Sequence, residues 1–466
     1  MAYIVIGDTL LTFWSALQTP RVLTIAALLT ALVIATLRVC KSSSTEARVA
    51  EAKPSDNSDK KRREYGEWTP VKFAYPEIQP WSTELKDRKP IPYRPFRWGK
   101  YNVTMGIQSM SWNDWIELDN QYESYHRIRA HRIQTRGERA IRVLGDDANP
   151  GVVRGGGEAA IELVHELAEY LCRRYPTTFK VVRHSTKSAK DHHWGWESAP
   201  PIKSITIVPL GVSYDLPLGV DDGEGAPERA MEISALLVQD DLALMIEGTD
   251  GRYYFQAGAI CVPGFWRMQD KIGLPLDEIH ITGNVPQYRE KLDVSLERFF
   301  RRLPVDKPVI RNNYFVQVVR PKDMLGPEEE EVDPEELAWS TTTNGSEDTY
   351  SHGHAFAPPA GRPTPTADTL RLRTERQTLR RLPGSGAIVF TIRTYLVPLV
   401  ELGEERGVPG RMASAVRGWT EDVSEYKGRE RGGWTSVLLE YMDAQHQEQV
   451  ERGEVEEGER VAEYPY

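Results

Sequence analysis

The chain has 466 residues, enough for one large domain with appendages or for two or three ordinary domains. Its 58 basic and 68 acidic side chains leave a formal net charge of −10, so no basic excess is available to bind the phosphates of a nucleic acid. Hydrophobic residues make up 40% of the sequence, which excludes a wholly disordered chain. The cysteines, Cys40, Cys172 and Cys261, are too few and too far apart for a disulfide framework or an iron–sulfur cluster.

The first patterned segment lies near the amino terminus. Residues Val22 to Leu37 are uncharged and, apart from threonines, apolar, although the run is slightly shorter than the ~20 residues that cross a bilayer. Helical extension to Val39 supplies the missing length, so we predict one transmembrane helix at about 22–39 inside a membrane anchor at 1–41. The alternative is a soluble, buried helix.

Flanking charge predicts the orientation of that anchor. Basic residues follow the helix (Arg38, Lys41, Arg48 and Lys53), whereas Arg21 alone precedes it. The positive-inside rule then places the carboxy-terminal body in the cytosol, with the endoplasmic reticulum as the expected membrane. Sugar on either glycosylation sequon, at Asn102 or Asn344, would contradict this orientation.

After a polar tether at 42–67, the periodicity predicts a mixture of helices and strands. Predicted helices lie at 113–132, 158–174 and 287–303, and predicted strands at 204–210, 235–247, 252–260, 310–319 and 387–397. Gly248–Gly251 makes a hairpin of two of these strands. Gly155–Gly157 lacks the spacing of a nucleotide-binding loop and is interpreted as the entry to a helix. Because few strands alternate with long helices, the pattern favours an antiparallel α+β fold.

Composition also predicts the domain boundaries. The body occupies 68–326 and 366–440 and is interrupted by an acidic, proline-rich insertion at 327–365. We expect that insertion to be a solvated, disordered loop, and an acidic tail at 441–466 to follow the body.

One histidine is a candidate ligand. A short helix is expected to end at Gly273, and a turn through Pro275 then presents His280 beside an apolar stretch. Neutral imidazole is the commonest protein ligand for metals and haem iron. The alternative for His280 is a structural residue that is satisfied within the core.

A second candidate is an arginine cluster. The segment Leu370–Leu382 is predicted to be a helix, with Arg373, Gln377 and Arg380 on one side and Arg376 adjoining. The strand that follows places Arg393 and Tyr395 on one face. Converging arginines would suit carboxylates through bidentate hydrogen bonds. The alternative is a solvated face that pairs with Glu375.

An ordered string of motifs extends from Pro95 to Leu399. It comprises Pro95–Trp98, Val238–Leu242, Ala257–Trp266, Lys271–His280, Arg311–Asn313, Arg373–Pro383 and Phe390–Tyr395. Together these motifs resemble the haem-dependent oxidative N-demethylase α-subunit-like family. Its fungal members, some called HRQ-family proteins, occur beside secondary-metabolite genes. This sequence departs from the family pattern where Ile281–Asn284 lengthens the loop before Val285, and where Tyr314 replaces an expected tryptophan.

The resemblance implies a PAS-like antiparallel sheet with flanking helices that binds haem and oxidises a methylated amine with O2. It further implies that electrons come from NADPH through flavin and iron–sulfur subunits, so the reductase would be a separate polypeptide. His280 would be the axial metal ligand, Arg376 and Arg393 the cations for the haem propionates or the pocket, and Tyr395 a catalytic hydrogen-bond donor.

The sequence thus favours a membrane-anchored haem oxidase or monooxygenase that acts on a small amine or another metabolite. Two alternatives remain open. One is a haem-binding sensor without turnover, and the other is a membrane-associated structural protein without a cofactor.

Overall fold

The computed structural model of this protein describes residues 63–185, 195–321, 338–339, 341–350, 364–429 and 433–461. The strands are β1 (Gln108–Ser109), β2 (Ile141–Val143), β3 (Phe179–Arg183), β4 (Ile202–Ile207), β5 (Val212–Asp215), β6 (Asp240–Glu247), β7 (Tyr253–Ala259), β8 (Val309–Val318), β9 (Leu370–Arg381) and β10 (Ile388–Pro398). The helices are α1 (Tyr122–Arg136), α2 (Gly157–Arg174), α3 (Ala226–Leu237), α4 (Leu276–Thr282), α5 (Asp293–Arg302), α6 (Thr341–Asn344), α7 (Leu399–Glu404), α8 (Val408–Arg417), α9 (Glu421–Tyr426) and α10 (Trp434–Glu451).

The main sheet has seven strands in the order β1-β8-β9-β10-β6-β7-β2, and each neighbouring pair is antiparallel. Strands β3, β4 and β5 form a second antiparallel sheet. The fold is therefore α+β, with a large antiparallel sheet and flanking helices, as the sequence predicts. Among the described residues no helix is both long and apolar enough to span a membrane, and the predicted helix at 22–39 lies outside them.

Helix α2 supplies much of the main core. Its predicted apolar stripe (Ile161, Val164, Leu167 and Leu171) is fully buried. Burial of each such side chain contributes about 1.5–3 kcal/mol. The predicted helix entry is confirmed, because the helix begins at Gly157. A Cβ on Gly156 would lie 2.5 Å from the carbonyl oxygen of Gln256, so this loop passes directly against β7.

Three of the predicted strands and the hairpin agree closely with the structure. Gly248–Gly251 joins β6 to β7, and the amide of Gly248 donates to the carbonyl of Arg252 at 2.8 Å. Strands β8 and β10 begin and end within one residue of the predictions. The predicted strand at 235–247 starts too early, because its first residues complete helix α3.

The helix predicted at Leu370–Leu382 is wrong, since this segment forms the long central strand β9. It is hydrogen-bonded to β8 on one side and to β10 on the other. Leucine, arginine, glutamate and glutamine favour helices locally, but the two ladders of the sheet override that preference. The arginines are consequently distributed over both faces of a sheet rather than along one face of a helix.

Part of the range predicted as a solvated insertion is packed on the body. Trp339 is 1% exposed, and its indole nitrogen donates to the carbonyl of Gly345 at 2.9 Å. Glu347 accepts hydrogen bonds from the buried Arg132 at 2.7 and 2.9 Å. The predicted acidic tail likewise begins inside helix α10, where Gln449 is fully buried.

Candidate functional site

One face of the main sheet is separated from helices α4 and α5 by a cavity. Most of its wall is apolar, and includes Met245, Phe255, Leu292, Leu296, Phe300 and Phe390. The extended segment 101–107 closes another side, with alternate residues turned inward. A largely apolar cavity with a few polar groups is the usual form of a small-molecule or cofactor site.

His280 is in the last turn of α4 and lines this cavity. Its Nδ1 lies 2.7 Å from the carbonyl oxygen of Leu276, one turn earlier in the same helix. Because a carbonyl only accepts hydrogen bonds, Nδ1 carries the proton and the Nε2 lone pair is left for a ligand. The Tyr288 ring stacks on the imidazole, with centroids 4.8 Å apart and planes 13° from parallel, and thereby fixes its orientation.

Burial lowers the pKa of His280 to about 4. The hydrogen bond to Leu276 acts in the opposite sense, whereas the positive charges of Lys271 and Arg311 lower the pKa further. The imidazole is therefore neutral at physiological pH. A neutral ring with a fixed tautomer is the form that binds a metal ion.

Helix α4 is tied to the β6–β7 hairpin, which fixes the position of His280. Arg252 lies 2.7 Å from a carboxylate oxygen of Asp277 and 2.8 Å from one of Glu278, both in the first turn of the helix. The amide of Phe255 donates to the carbonyl of Leu274 at 3.0 Å. These contacts attach the helix to the β6–β7 hairpin.

The cavity also contains charged side chains, and the strand register explains their position. Arg311 on β8 is paired with Gln377 on β9, and Asn313 with Glu375. Cross-strand partners lie on one face of a sheet, so all four line the cavity. Lys271 and Lys427 complete its ionisable groups, apart from His280 and tyrosines.

The opposite face of β9 and β10 carries a buried charge cluster. Arg376 and Arg393 are cross-strand partners and are both 0% exposed. Arg376 lies 3.3 Å from a carboxylate oxygen of Glu117, and Arg393 donates to Asp119 at 2.9 Å. Tyr395 donates to the other oxygen of Glu117 at 3.0 Å. Each of these arginines therefore already has a carboxylate partner.

The same cluster contains an unsatisfied carboxyl group. Asp240, at the start of β6, is fully buried, and neither of its oxygens has a hydrogen-bond partner in the described part of the chain. Burial raises the pKa of Asp240 to about 7, although the nearby guanidinium groups of Arg393, Arg376 and Arg129 act in the opposite sense. This carboxyl group therefore gains a proton near neutral pH.

The structure does not bring the predicted site residues together. His280 lines the cavity, whereas Arg376, Arg393 and Tyr395 point to the other face of the sheet and are not part of the cavity wall. Arg311 was not among the predicted site residues and appeared only as part of a motif. The available signal was a charged residue at the start of the predicted strand 310–319.

The fold and site define an α+β protein that holds a neutral histidine, with one free ring nitrogen, in a mainly apolar cavity beneath an antiparallel sheet. A family model described as haem-dependent oxidative N-demethylase, alpha subunit-like, matches residues 106–439. The match covers most of the chain, which therefore belongs to this family. It includes His280 and the strand segments that line the cavity.

Proposed function

We propose that this protein is a haem-dependent oxidase that uses O2 to oxidise a small amine or a related biosynthetic intermediate. Membership of the family supports haem-dependent oxidative chemistry of the N-demethylase type. The observation that carries the proposal is His280, whose Nδ1 is bonded to the Leu276 carbonyl while its Nε2 is free in the cavity.

The residues of the cavity fit a haem group. His280 would bind the iron, the apolar side chains of the sheet and of helix α5 would cover the macrocycle, and cationic side chains are present for its two propionates. When bound, haem supplies O2 activation and electron transfer, which side chains alone cannot provide. The protein would position the haem, exclude water from the cavity and supply the charges around the ligand.

Particular residues prepare this site. Leu276 and Tyr288 hold the imidazole in one tautomer and one orientation. The low pKa of His280, about 4, keeps the ring neutral, so that protonation does not compete with iron at physiological pH. Phe300 and the inward side chains of 101–107 line the cavity and would limit the entry of water to a bound haem.

We also infer a PAS-like architecture for the body. The adjacent strands β7-β6-β10-β9-β8 form an antiparallel sheet, and the chain between β7 and β8 places α4 and α5 over one of its faces. The proposed haem site lies between that face and those helices. This arrangement supports the PAS-like fold that the resemblance implies.

The proposal extends to partners and location. Electrons would come from a separate reductase, because three cysteines are too few for an iron–sulfur cluster and the sequence has no dinucleotide-binding fingerprint. The apolar run Val22–Leu37 would anchor the chain in a membrane, with the body in the cytosol, and the expected membrane is that of the endoplasmic reticulum.

The absorbance spectrum of the haem-supplemented protein tests the proposal. The wild type should show a Soret band, and His280→Ala should lose it or shift it because the axial ligand is gone. Added imidazole should restore the signature by entering the space of the lost ring. His131→Ala is the matched control, since His131 is exposed on α1 and does not line the cavity.

An unchanged spectrum in His280→Ala would remove the ligand assignment, provided that circular dichroism shows the variant to be folded. Turnover requires a second measurement. The reduced holoprotein should release formaldehyde from a methylated amine under O2. Haem binding without aldehyde release from any amine tested would instead favour the non-catalytic sensor.

A further inference from the structure

Arg311 is half-buried and differs from the buried arginines of the sheet because it has no partner. Its Nε is buried without a hydrogen-bond acceptor, and its guanidinium forms no hydrogen bond or ion pair with any residue that the structure describes. Arg376 and Arg393, on the opposite face, are each matched with a carboxylate. A buried donor of a cationic group that finds no acceptor is costly, so the lone Nε–H of Arg311 requires an explanation.

Glu375 is the carboxylate of the cavity wall, and its oxygens are already engaged. Arg373 Nε lies 3.2 Å from one oxygen, and Gln377 donates to the other at 3.1 Å. Its negative charge therefore acts on Arg311 only over a distance, without a hydrogen bond. No second carboxylate lines the cavity within the described ranges.

The remaining cations of the cavity are satisfied by neutral oxygens. Lys427 donates to the carbonyl of Tyr314 at 2.7 Å, and Lys271 donates to the carbonyl of Ile279 at 3.0 Å. The described wall thus combines one carboxylate with Arg311 and two lysines; burial lowers the pKa of Lys271 to about 8 and that of Lys427 to about 7, so Arg311 and Lys271 carry most of the positive charge at neutral pH. In a site with mainly apolar walls, that excess favours a ligand that carries negative charge.

We propose that Arg311 binds a carboxylate of the molecule that occupies the His280 cavity. A guanidinium offers two parallel N–H donors that match the two oxygens of a carboxylate. The ligand would combine that carboxylate with an apolar body that fills the space between Phe255 and Phe300. This inference rests on the proposed function, because it names a ligand group of the same site.

Two sources could supply the carboxylate, a porphyrin propionate or a separate acidic substrate. The probes are therefore metal-free protoporphyrin IX with its dimethyl ester, and hexanoate with hexanol. Within each pair, only the first compound carries negative charge. Binding is measured by porphyrin fluorescence or by calorimetry on the full chain, with Arg311→Gln as the test variant and Arg302→Gln, exposed at the end of α5, as the control.

Arg311→Gln should weaken binding of one acidic probe by roughly tenfold to a hundredfold, the usual worth of hydrogen bonds to a charged group, and leave its uncharged analogue unaffected. Loss confined to protoporphyrin IX would identify a propionate, and loss confined to hexanoate a substrate. Arg302→Gln should behave as the wild type. If Arg311→Gln retains the full wild-type preference for acidic over uncharged probes in both pairs, the inference is overturned.

Failure of this inference is distinguishable from failure of the haem proposal. Neither metal-free porphyrin nor hexanoate needs an iron ligand, so His280→Ala should keep the preference for the acidic probes. A chain that discriminates carboxylates but shows no Soret band with haem would retain the role of Arg311 and lose that of His280. The folded state of each variant is checked by circular dichroism.

Discussion

Replacement of Arg393 by glutamine distinguishes a structural role of the buried charge cluster from a role in ligand binding. The Arg393 guanidinium is 0% exposed, donates to Asp119 at 2.9 Å and lies 4.1 Å and 4.6 Å from the ring centroids of Tyr125 and Tyr395. The variant would leave Asp119, itself 3% exposed, without its ionic partner. Breaking such a buried pair costs about 3–5 kcal/mol.

The loss should be visible as a lower midpoint of urea unfolding, followed by circular dichroism. It is a large fraction of the roughly 5–15 kcal/mol that keeps a domain folded. Arg302→Gln, at an exposed position, should stay within about 0.5 kcal/mol of the wild type. The double variant Arg393→Gln with Asp119→Asn removes both charges, and should therefore recover part of the stability that the single variant loses.

Haem affinity per folded molecule should change little in Arg393→Gln, because Arg393 does not line the cavity. Unchanged stability together with a loss of haem affinity would refute the structural role of Arg393. If Arg393→Gln unfolds at the wild-type urea concentration but loses haem, the arginine serves a propionate, as the resemblance implied, and the carboxylate pairing is not its main role.

Two further predictions concern a buried carboxyl group and a crowded glycine. Burial raises the pKa of Asp240 from 3.8 to about 7, so the stability that its protonated form contributes is complete below about pH 4 and is lost as the pH rises through about 7. Between about pH 5 and about pH 8 this decline is worth roughly 3 kcal/mol, and Asp240→Asn should abolish it in urea unfolding at those two pH values. An equal decline in both proteins would contradict the assignment. Gly264→Ala should lower the melting temperature more than Gly211→Ala. Both residues have positive φ (76° and 66°), but only at Gly264 would a Cβ meet another group, 2.5 Å from Cζ of Arg373. Equal losses of melting temperature would show that this contact is relieved without cost.

The strands that are rich in apolar and β-branched residues were predictable from the sequence. Strands β8 and β10 contain runs of β-branched, aliphatic and aromatic residues, and two such runs flank the turn at Gly248–Gly251 in the β6–β7 hairpin. Helix α2 was predictable for the same reason, since its apolar stripe repeats every three or four residues. In these elements, local pattern and tertiary environment favour the same structure.

Strand β9 was not predictable in this way. Its sequence alternates Arg373, Glu375 and Gln377 on the cavity face with Arg376 and Thr378 on the other, so both faces are polar and no apolar period marks the strand. Charged residues at three- and four-residue spacing instead resemble the solvated face of a helix. Their actual environment depends on carboxylates far away in the chain, which single-sequence periodicity cannot reveal.

The location of His280 was predictable only in part. The apolar segment around it and the resemblance indicated a ligand, but the cavity depends on strands β6 to β10 meeting helices α4 and α5. Arg311 is notable because it lacks a hydrogen-bond acceptor, and this can be recognised only in a structure that gives the partners of the other arginines.

The contrast between the two faces of the central strands is the physical reason to place function on the His280 side. A ligand carboxylate that bound Arg376 or Arg393 would have to displace Glu117 or Asp119, and so break a buried ion pair before making another. A ligand carboxylate that met Arg311 would displace no protein carboxylate. The net gain in free energy on binding a carboxylate is therefore larger at Arg311 than at Arg376 or Arg393, although each guanidinium carries the same charge. Because the Arg311 charge is unpaired, a bound carboxylate should also stabilise the folded protein.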